Sequence, residues 1–113
     1  ETGIGGRNQE FTLSVAQNIA GSKNIVVCSV DTDGTDGPGQ QYYKGPEGMP
    51  FCLGGGIVDG YTLDEAKAAG VNIDAEIKHH NASPPLWKMK NGIHLSANIS
   101  MLDFTIILVT RKA

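Results

Sequence analysis

The segment Asn24 to Val30, Asn-Ile-Val-Val-Cys-Ser-Val, most constrains what this chain can fold into. It is short, β-branched and almost continuously apolar, which is the pattern of a buried strand. A second run of the same kind, Phe104 to Thr110, lies just before the charged pair Arg111-Lys112. Between the two runs lie several short segments with helix start and stop signals. The predicted fold is therefore α/β: a single layered domain with a small mixed, parallel-rich sheet flanked by helices. Both apolar runs are expected to be central strands.

The first strand leads straight into Asp31-Thr32-Asp33-Gly34-Thr35-Asp36-Gly37-Pro38. In open α/β sheets, ligands bind beyond the carboxyl ends of strands. Closely spaced carboxylates repel one another and invite a hard cation such as Mg2+, shared with substrate phosphates. Asp33 and Asp36 are the candidate metal residues. The alternative is that Asp and Gly build successive tight turns, with side chains bonded to the local backbone. An EF-hand loop is excluded. With Asp31 as first ligand, Asp36 stands where Gly is needed and Tyr42 where Glu is needed.

Upstream, Gly5-Gly6-Arg7-Asn8-Gln9-Glu10 precedes an amphipathic stretch, Phe11 to Ala20. Phe11, Val15 and Ile19 recur at helical spacing, and a helix over 9–21 closed by Gly21 is predicted. The polar cluster thus sits at a helix start, where unpaired N–H groups and the dipole favour an anion. Glycines permit close backbone approach, and Arg7 offers a planar fork for phosphate or carboxylate. The competing reading is a surface loop capped by polar residues.

Beyond the acidic loop, residues 55–60 read as a short helix. Thr62-Leu-Asp-Glu has a capping-box spacing ahead of a helix over 63–69, with Gly70 ending it. Asp74 is expected to start a helix running to His80. Ser83-Pro84 is expected to start another that buries Leu86 and Trp87. Ile93 to Asn98 reads as a short strand.

With 113 residues the chain can bury a core without disulfides. A net charge of −3 with 19% charged residues points neither to disorder nor to a nucleic-acid surface. No apolar run approaches membrane-spanning length, and no signal-peptide pattern is present. Cys28 and Cys52 read as free thiols of a cytoplasmic protein. No His-Glu-x-x-His, Cys-x-x-Cys, P-loop or nucleophile elbow occurs. A strand–Gly-x-Gly-x-x-Gly–helix unit for a nicotinamide cofactor is missing as well.

The order of three motifs resembles the C-terminal MOFRL domain of the glycerate 2-kinase family, also known under the label hydroxypyruvate reductase. The motifs are Gly-Gly-Arg-Asn-Gln-Glu at 5–10, Thr-Asp-Gly-Thr-Asp-Gly-Pro at 32–38, and Gly-Gly-Ile-Val-Asp-Gly at 55–60. The resemblance covers essentially residues 1–113. It implies a larger N-terminal kinase domain, in cis or in trans, with the active site in the cleft between the two. It further implies transfer of the γ-phosphoryl of ATP, with Mg2+, to glycerate or a related small hydroxy acid. On that reading Arg7 is the catalytic residue. Gly5, Gly6, Asn8 and Gln9 orient the anion, Asn81 and Ser83 line the cleft, and Asp33 and Asp36 hold the metal.

Three departures accompany the resemblance. Gly39 to Leu53 replaces a shorter link, Ala82 stands where the family has Asp between Asn81 and Ser83, and Leu95 to Ser100 lacks the glycines of an anion loop. Asp103 matches the family's aspartate before the last strand. A start so close to the first helix leads us to expect a fragment, a split gene product or a stand-alone remnant. The departures allow a second reading, a non-catalytic ligand-binding or subunit-interaction domain of the same fold.

Overall fold

The computed structural model describes residues 3–32, 36–37, 53–93 and 103–110. The elements run α1 (Arg7–Asn18), β1 (Ile25–Asp31), β2 (Gly55–Asp59), α2 (Thr62–Ala68), α3 (Ile73–Lys78), α4 (Ser83–Lys88), β3 (Gly92–Ile93) and β4 (Asp103–Val109). The strands form one sheet in the order β3-β2-β1-β4, and every pair is antiparallel.

This corrects the parallel-rich sheet expected from the sequence. Two buried-looking apolar runs separated by helical segments suggested crossovers. The segment 55–60, expected to be helical, is instead strand β2, and it returns antiparallel beside β1. Val58 pairs with Val27, and Gly56 pairs with Ser29. The glycine at 56 makes the packing possible: a Cβ there would lie 2.5 Å from the Thr12 hydroxyl and 3.1 Å from Leu86. Helix and strand are hard to separate in a five-residue apolar run with two glycines.

β4 also departs from expectation. It pairs with β1 along its whole length, from Ile25 with Val109 to Asp31 with Asp103. It is an edge strand, however, and all of its residues are exposed. Among the described residues the core lies on one face of the sheet. Leu13 and Ala16 of α1, Val27 of β1, Val58 of β2, Ala66 of α2, Ile73 of α3 and Leu86 of α4 form one buried cluster.

The helix boundaries follow from local chemistry. α1 begins at Arg7, two residues before the expected start, and Gly21 adopts a positive φ of 88° just past its end. Thr62 does not cap α2. It lies in the first turn, and its hydroxyl accepts the Asp59 N–H at 2.9 Å. α3 begins at Ile73, one residue before the expected start at Asp74, and Asn72 caps it by accepting the Ala75 N–H at 3.1 Å. Ser83 is the first helical residue of α4, followed by Pro84 and Pro85, where missing N–H groups cost nothing. Strand β3 contains Ile93; the rest of the run expected to Asn98 lies outside the described residues. Among the described residues no helix is long and apolar enough to cross a membrane.

Candidate functional site

The site is built around the first turn of α1. A helix start leaves N–H groups without intrahelical partners. The N-cap here is Gly6, which has no side chain to supply one. It cannot carry one either, because a Cβ at Gly6 would lie 2.3 Å from the Asp36 backbone. The Asp36 carboxylate, distant in sequence, takes over the capping role. Its Oδ1 accepts the Asn8 N–H at 3.1 Å, and its Oδ2 accepts the Gln9 N–H at 2.8 Å. The Glu10 N–H is bonded to the Gly6 carbonyl at 2.9 Å. The loop closes so tightly that Gly37, at φ 89°, has no room for a Cβ beside the Gly5 carbonyl.

The side chains of the same turn extend this arrangement into a buried polar network. Gln9 is fully buried, and its Nε2 donates to the Asp36 carbonyl at 3.0 Å and to Asp36 Oδ2 at 3.1 Å. Its Oε1 accepts the Ser83 hydroxyl. Asn8 is also buried, and its Nδ2 bridges two carboxylates, Asp36 Oδ1 at 2.9 Å and Asp103 Oδ1 at 2.7 Å. Asn8 Oδ1 accepts the Ser29 hydroxyl at 2.5 Å, and Ser29 lies 2.9 Å from the Thr105 hydroxyl. Among the described residues no buried side-chain nitrogen or oxygen lacks a partner. Such a network fixes its members firmly, because breaking one link strands a buried polar atom.

Arg7 stands at the outer rim. Its Nε donates to Asp103 Oδ2 at 2.5 Å, with the Arg7 side chain 68% exposed and that of Asp103 37% exposed. The Arg7 hydrogen bond holds the Asp103 carboxyl below the usual carboxylate range, and the Asn8 bond adds to the effect. Asp103 in turn raises the affinity of Arg7 for its proton. One edge of the guanidinium is thus fixed through Nε. The terminal nitrogens have no partner among the described residues, and they can grip a carboxylate or phosphate.

The structure brings together most of the residues singled out in the sequence. Gly5, Gly6, Arg7, Asn8, Gln9, Asp36 and Ser83 meet within this network. Asn81 stands beside it: its Oδ1 accepts the Ile4 N–H at 3.0 Å and its Nδ2 donates to Glu76 at 2.6 Å. The Ser83 N–H then binds the Ile4 carbonyl at 2.9 Å, so residues 79–83 anchor the strip that carries the glycines. Asp33 lies outside the described residues. Among the described residues no group of three His, Cys, Asp or Glu side chains is placed to hold a metal ion. Two members gave little warning. Ser29 was visible only as the one hydroxyl in an apolar strand, and Thr105 comes from the far end of the chain, where strand register delivers it beside Ser29. Asp103 was marked in the sequence as the family's aspartate before the last strand, but not as the partner of Arg7.

An antiparallel sheet with helices on one face, and a capped, arginine-bearing helix start, define a small α/β module whose polar rim faces outward. The MOFRL family pattern matches residues 1–99, and the chain belongs to that family. It is 40% identical to the D-glycerate 2-kinase of Thermotoga maritima over 86 residues, 76% of this chain and 18% of that protein. It is 36% identical to the glycerate 2-kinase of Pyrococcus horikoshii over 111 residues, 97% of this chain and 22% of that protein. The crystal structure of the Thermotoga maritima glycerate kinase superposes with a TM-score of 0.81 at 34% identity, over 96% of this chain and 24% of that one. A crystal structure from Pyrococcus horikoshii superposes with a TM-score of 0.83 at 30% identity, over 99% of this chain and 23% of that one. The chain therefore spans about a fifth of the length of the curated relatives it matches.

Proposed function

We propose that this chain is the MOFRL module of a glycerate 2-kinase-type enzyme and supplies an anion-binding arginine to a site completed by a larger domain. The observation that carries the reading is the state of Arg7. The N–H groups of Asn8 and Gln9 are occupied by Asp36, so the helix start is not an open phosphate cradle. Arg7 is the cationic group that the network leaves facing outward, oriented by Asp103.

In the proposed reaction a hydroxyl oxygen of glycerate bonds to the γ-phosphorus of ATP. The bond from that phosphorus to the β–γ bridging oxygen breaks, ADP leaves, and the hydroxyl proton passes to a base or to water. Such transfers depend mainly on positioning and charge stabilisation. Arg7 binds the acid's carboxylate or the moving phosphoryl group through its terminal nitrogens. Asn8, Gln9 and Ser83 act through Arg7 and α1, since their polar atoms are engaged within the domain. Asp36 serves as the helix cap. The Mg2+ that accompanies ATP finds no ligand set among the described residues, and we assign it none here.

The test is reconstitution. The 113-residue chain alone is expected to phosphorylate no glycerate. The same chain, replacing the matched segment of the Pyrococcus horikoshii relative, is expected to restore ATP-dependent glycerate phosphorylation. Turnover by the isolated chain, or a folded but inactive fusion that still binds both substrates, would sink the proposal. The second outcome would favour the non-catalytic module.

A further inference from the structure

Among the described residues, the helices cover one face of the sheet and nothing covers the other. Directly paired residues of antiparallel strands project to the same side. Val27 and Val58 are buried beneath the helices. The next residues along each strand therefore face the other way. The register places Val26, Cys28 and Val30 of β1 beside Leu108, Ile106 and Phe104 of β4 on that opposite side. No described residue of that side belongs to the buried core. Phe104, Ile106 and Leu108 are 47%, 51% and 54% exposed, and Ile57 of β2 adds to the same patch. Ile107 and Val109, which share the side of Val27, are each 61% exposed.

Among the described residues the outer edge of β4 has no strand partner, and β1 pairs with its inner edge. Every second backbone amide of an edge strand points away from its neighbour. Exposed edges are usually guarded by charge, proline or a bulge. From Phe104 to Val109 this strand has no charge and no proline, and its pairing with β1 is unbroken. A contiguous apolar face with an unguarded edge marks an interaction surface.

We propose that the β4 edge and the open sheet face are the docking surface for the remaining, larger portion of a glycerate 2-kinase-type protein, in cis or in trans. This rests on the function proposed above. Two observations favour that occupant. The relatives that share this fold are far longer, with this module making up 18% to 24% of their length. The surface is also continuous with the arginine rim. Asp103, which holds Arg7, is the first residue of β4, so a domain seated along β4 ends beside the guanidinium. The partner surface must offer an apolar face and a strand or extended segment able to bond the outward β4 amides.

Hydrogen exchange reads the amides directly. The probe is the remaining part of the Pyrococcus horikoshii relative, joined to this chain and also added as a separate polypeptide. Outward β4 amides are expected to exchange freely in the isolated chain and at least ~100-fold more slowly with the partner present. The double variant Ile106→Lys/Leu108→Lys leaves the isolated chain's melting temperature unchanged, because both positions are exposed there. It is expected to abolish the added protection and the association in trans. If the assembly phosphorylates glycerate while β4 exchanges freely and the double variant still associates, the docking surface is refuted and the proposed function stands. If β4 is protected and the double variant dissociates without any phosphorylation, the surface stands and the catalytic reading fails. Protection that depends only on the concentration of the isolated chain assigns the surface to a second copy and overturns the proposal.

Discussion

Asp36 and Asp103 both accept a hydrogen bond from the Nδ2 group of Asn8, yet they occupy opposite regimes. Asp36 is 1% exposed, and both its oxygens receive N–H donors from the first turn of α1. Asp103 lies at the surface and binds a guanidinium that is itself largely in solvent. Burial decides the role. A carboxylate removed from water must be fully bonded, and removing it leaves several donors stranded. A carboxylate at the rim contributes little to stability, because water and salt screen its pair. It can instead aim a charged neighbour. Two aspartates on one asparagine thus divide between holding the helix and presenting the arginine.

The sharpest way to break that division is Arg7→Ala in the reconstituted enzyme. Activity should fall on the order of 10³-fold, the scale of a lost phosphoryl-stabilising arginine. The melting temperature should be unchanged. Arg7→Lys should recover little, since an ammonium cannot both bond Asp103 through Nε and present a planar fork. A variant that unfolds while the remaining folded fraction keeps full specific activity would place Arg7 with Asp36 rather than apart from it.

Asp36→Ala tests the other half. It removes the acceptor for two backbone N–H groups and two side-chain amides at once. A lost cap costs about 1 kcal/mol and each stranded buried donor about 1–3 kcal/mol, so urea unfolding should show a loss of roughly 3 kcal/mol. A loss below about 0.5 kcal/mol, the level of an ordinary surface change, would show the carboxylate to be dispensable for the fold.

How much of this was legible in the sequence follows from the same physics. Gly5 to Gln9 and Asp36 stood out because glycine, amide and carboxylate clusters are rare outside turns and sites. For Asp36 the sequence left two roles open, a metal ligand and a carboxylate bonded to backbone N–H groups. Its bonds to the Asn8 and Gln9 N–H groups depend on the 36–37 backbone closing over Gly6, an approach between distant segments that no local pattern announces. β1 was legible from its β-branched run. β2 was not, since Gly55-Gly56 carries no strand pattern of its own. The apolar β4 run identified a strand correctly and its burial wrongly. In sequence, an apolar edge strand reads the same as a central one, and segment 55–60 read as a helix, so the antiparallel sheet was missed.

A subtler probe of the buried side is Ser29→Ala. Ser29 is 1% exposed, and its hydroxyl connects Asn8 to Thr105. Removing it leaves Asn8 Oδ1 without its donor, a cost of about 1–2 kcal/mol in urea unfolding. Activity in the reconstituted enzyme should fall only as far as Asn8 loosens, and far less than for Arg7→Ala. Replacing Ser29 and Thr105 together by alanine should cost less than the sum of the single changes, because the two hydroxyls share one link.

The smallest effect lies at the rim and depends on pH. The hydrogen bond from Arg7, then that from Asn8, holds the folded-state Asp103 carboxyl below the usual range, against a slight opposing effect of burial. A group whose pKa is lowered by folding stabilises the folded state above its unfolded value, about 3.9 for aspartate, and that contribution is lost as pH falls through the lower folded value. The difference in stability between the native chain and Asp103→Asn should therefore be constant near about pH 6 and shrink as the solution is acidified below about pH 4. It should also shrink in concentrated salt, because the pair is solvent-exposed. Arg7 does not contribute to this slope, since its proton affinity is raised from a value already far above the window. A stability difference that grows on acidification would have the wrong sign for a carboxylate favoured in the folded state. It would mean that Asp103 is held protonated, and Arg7 would then lack the charged partner that aims it.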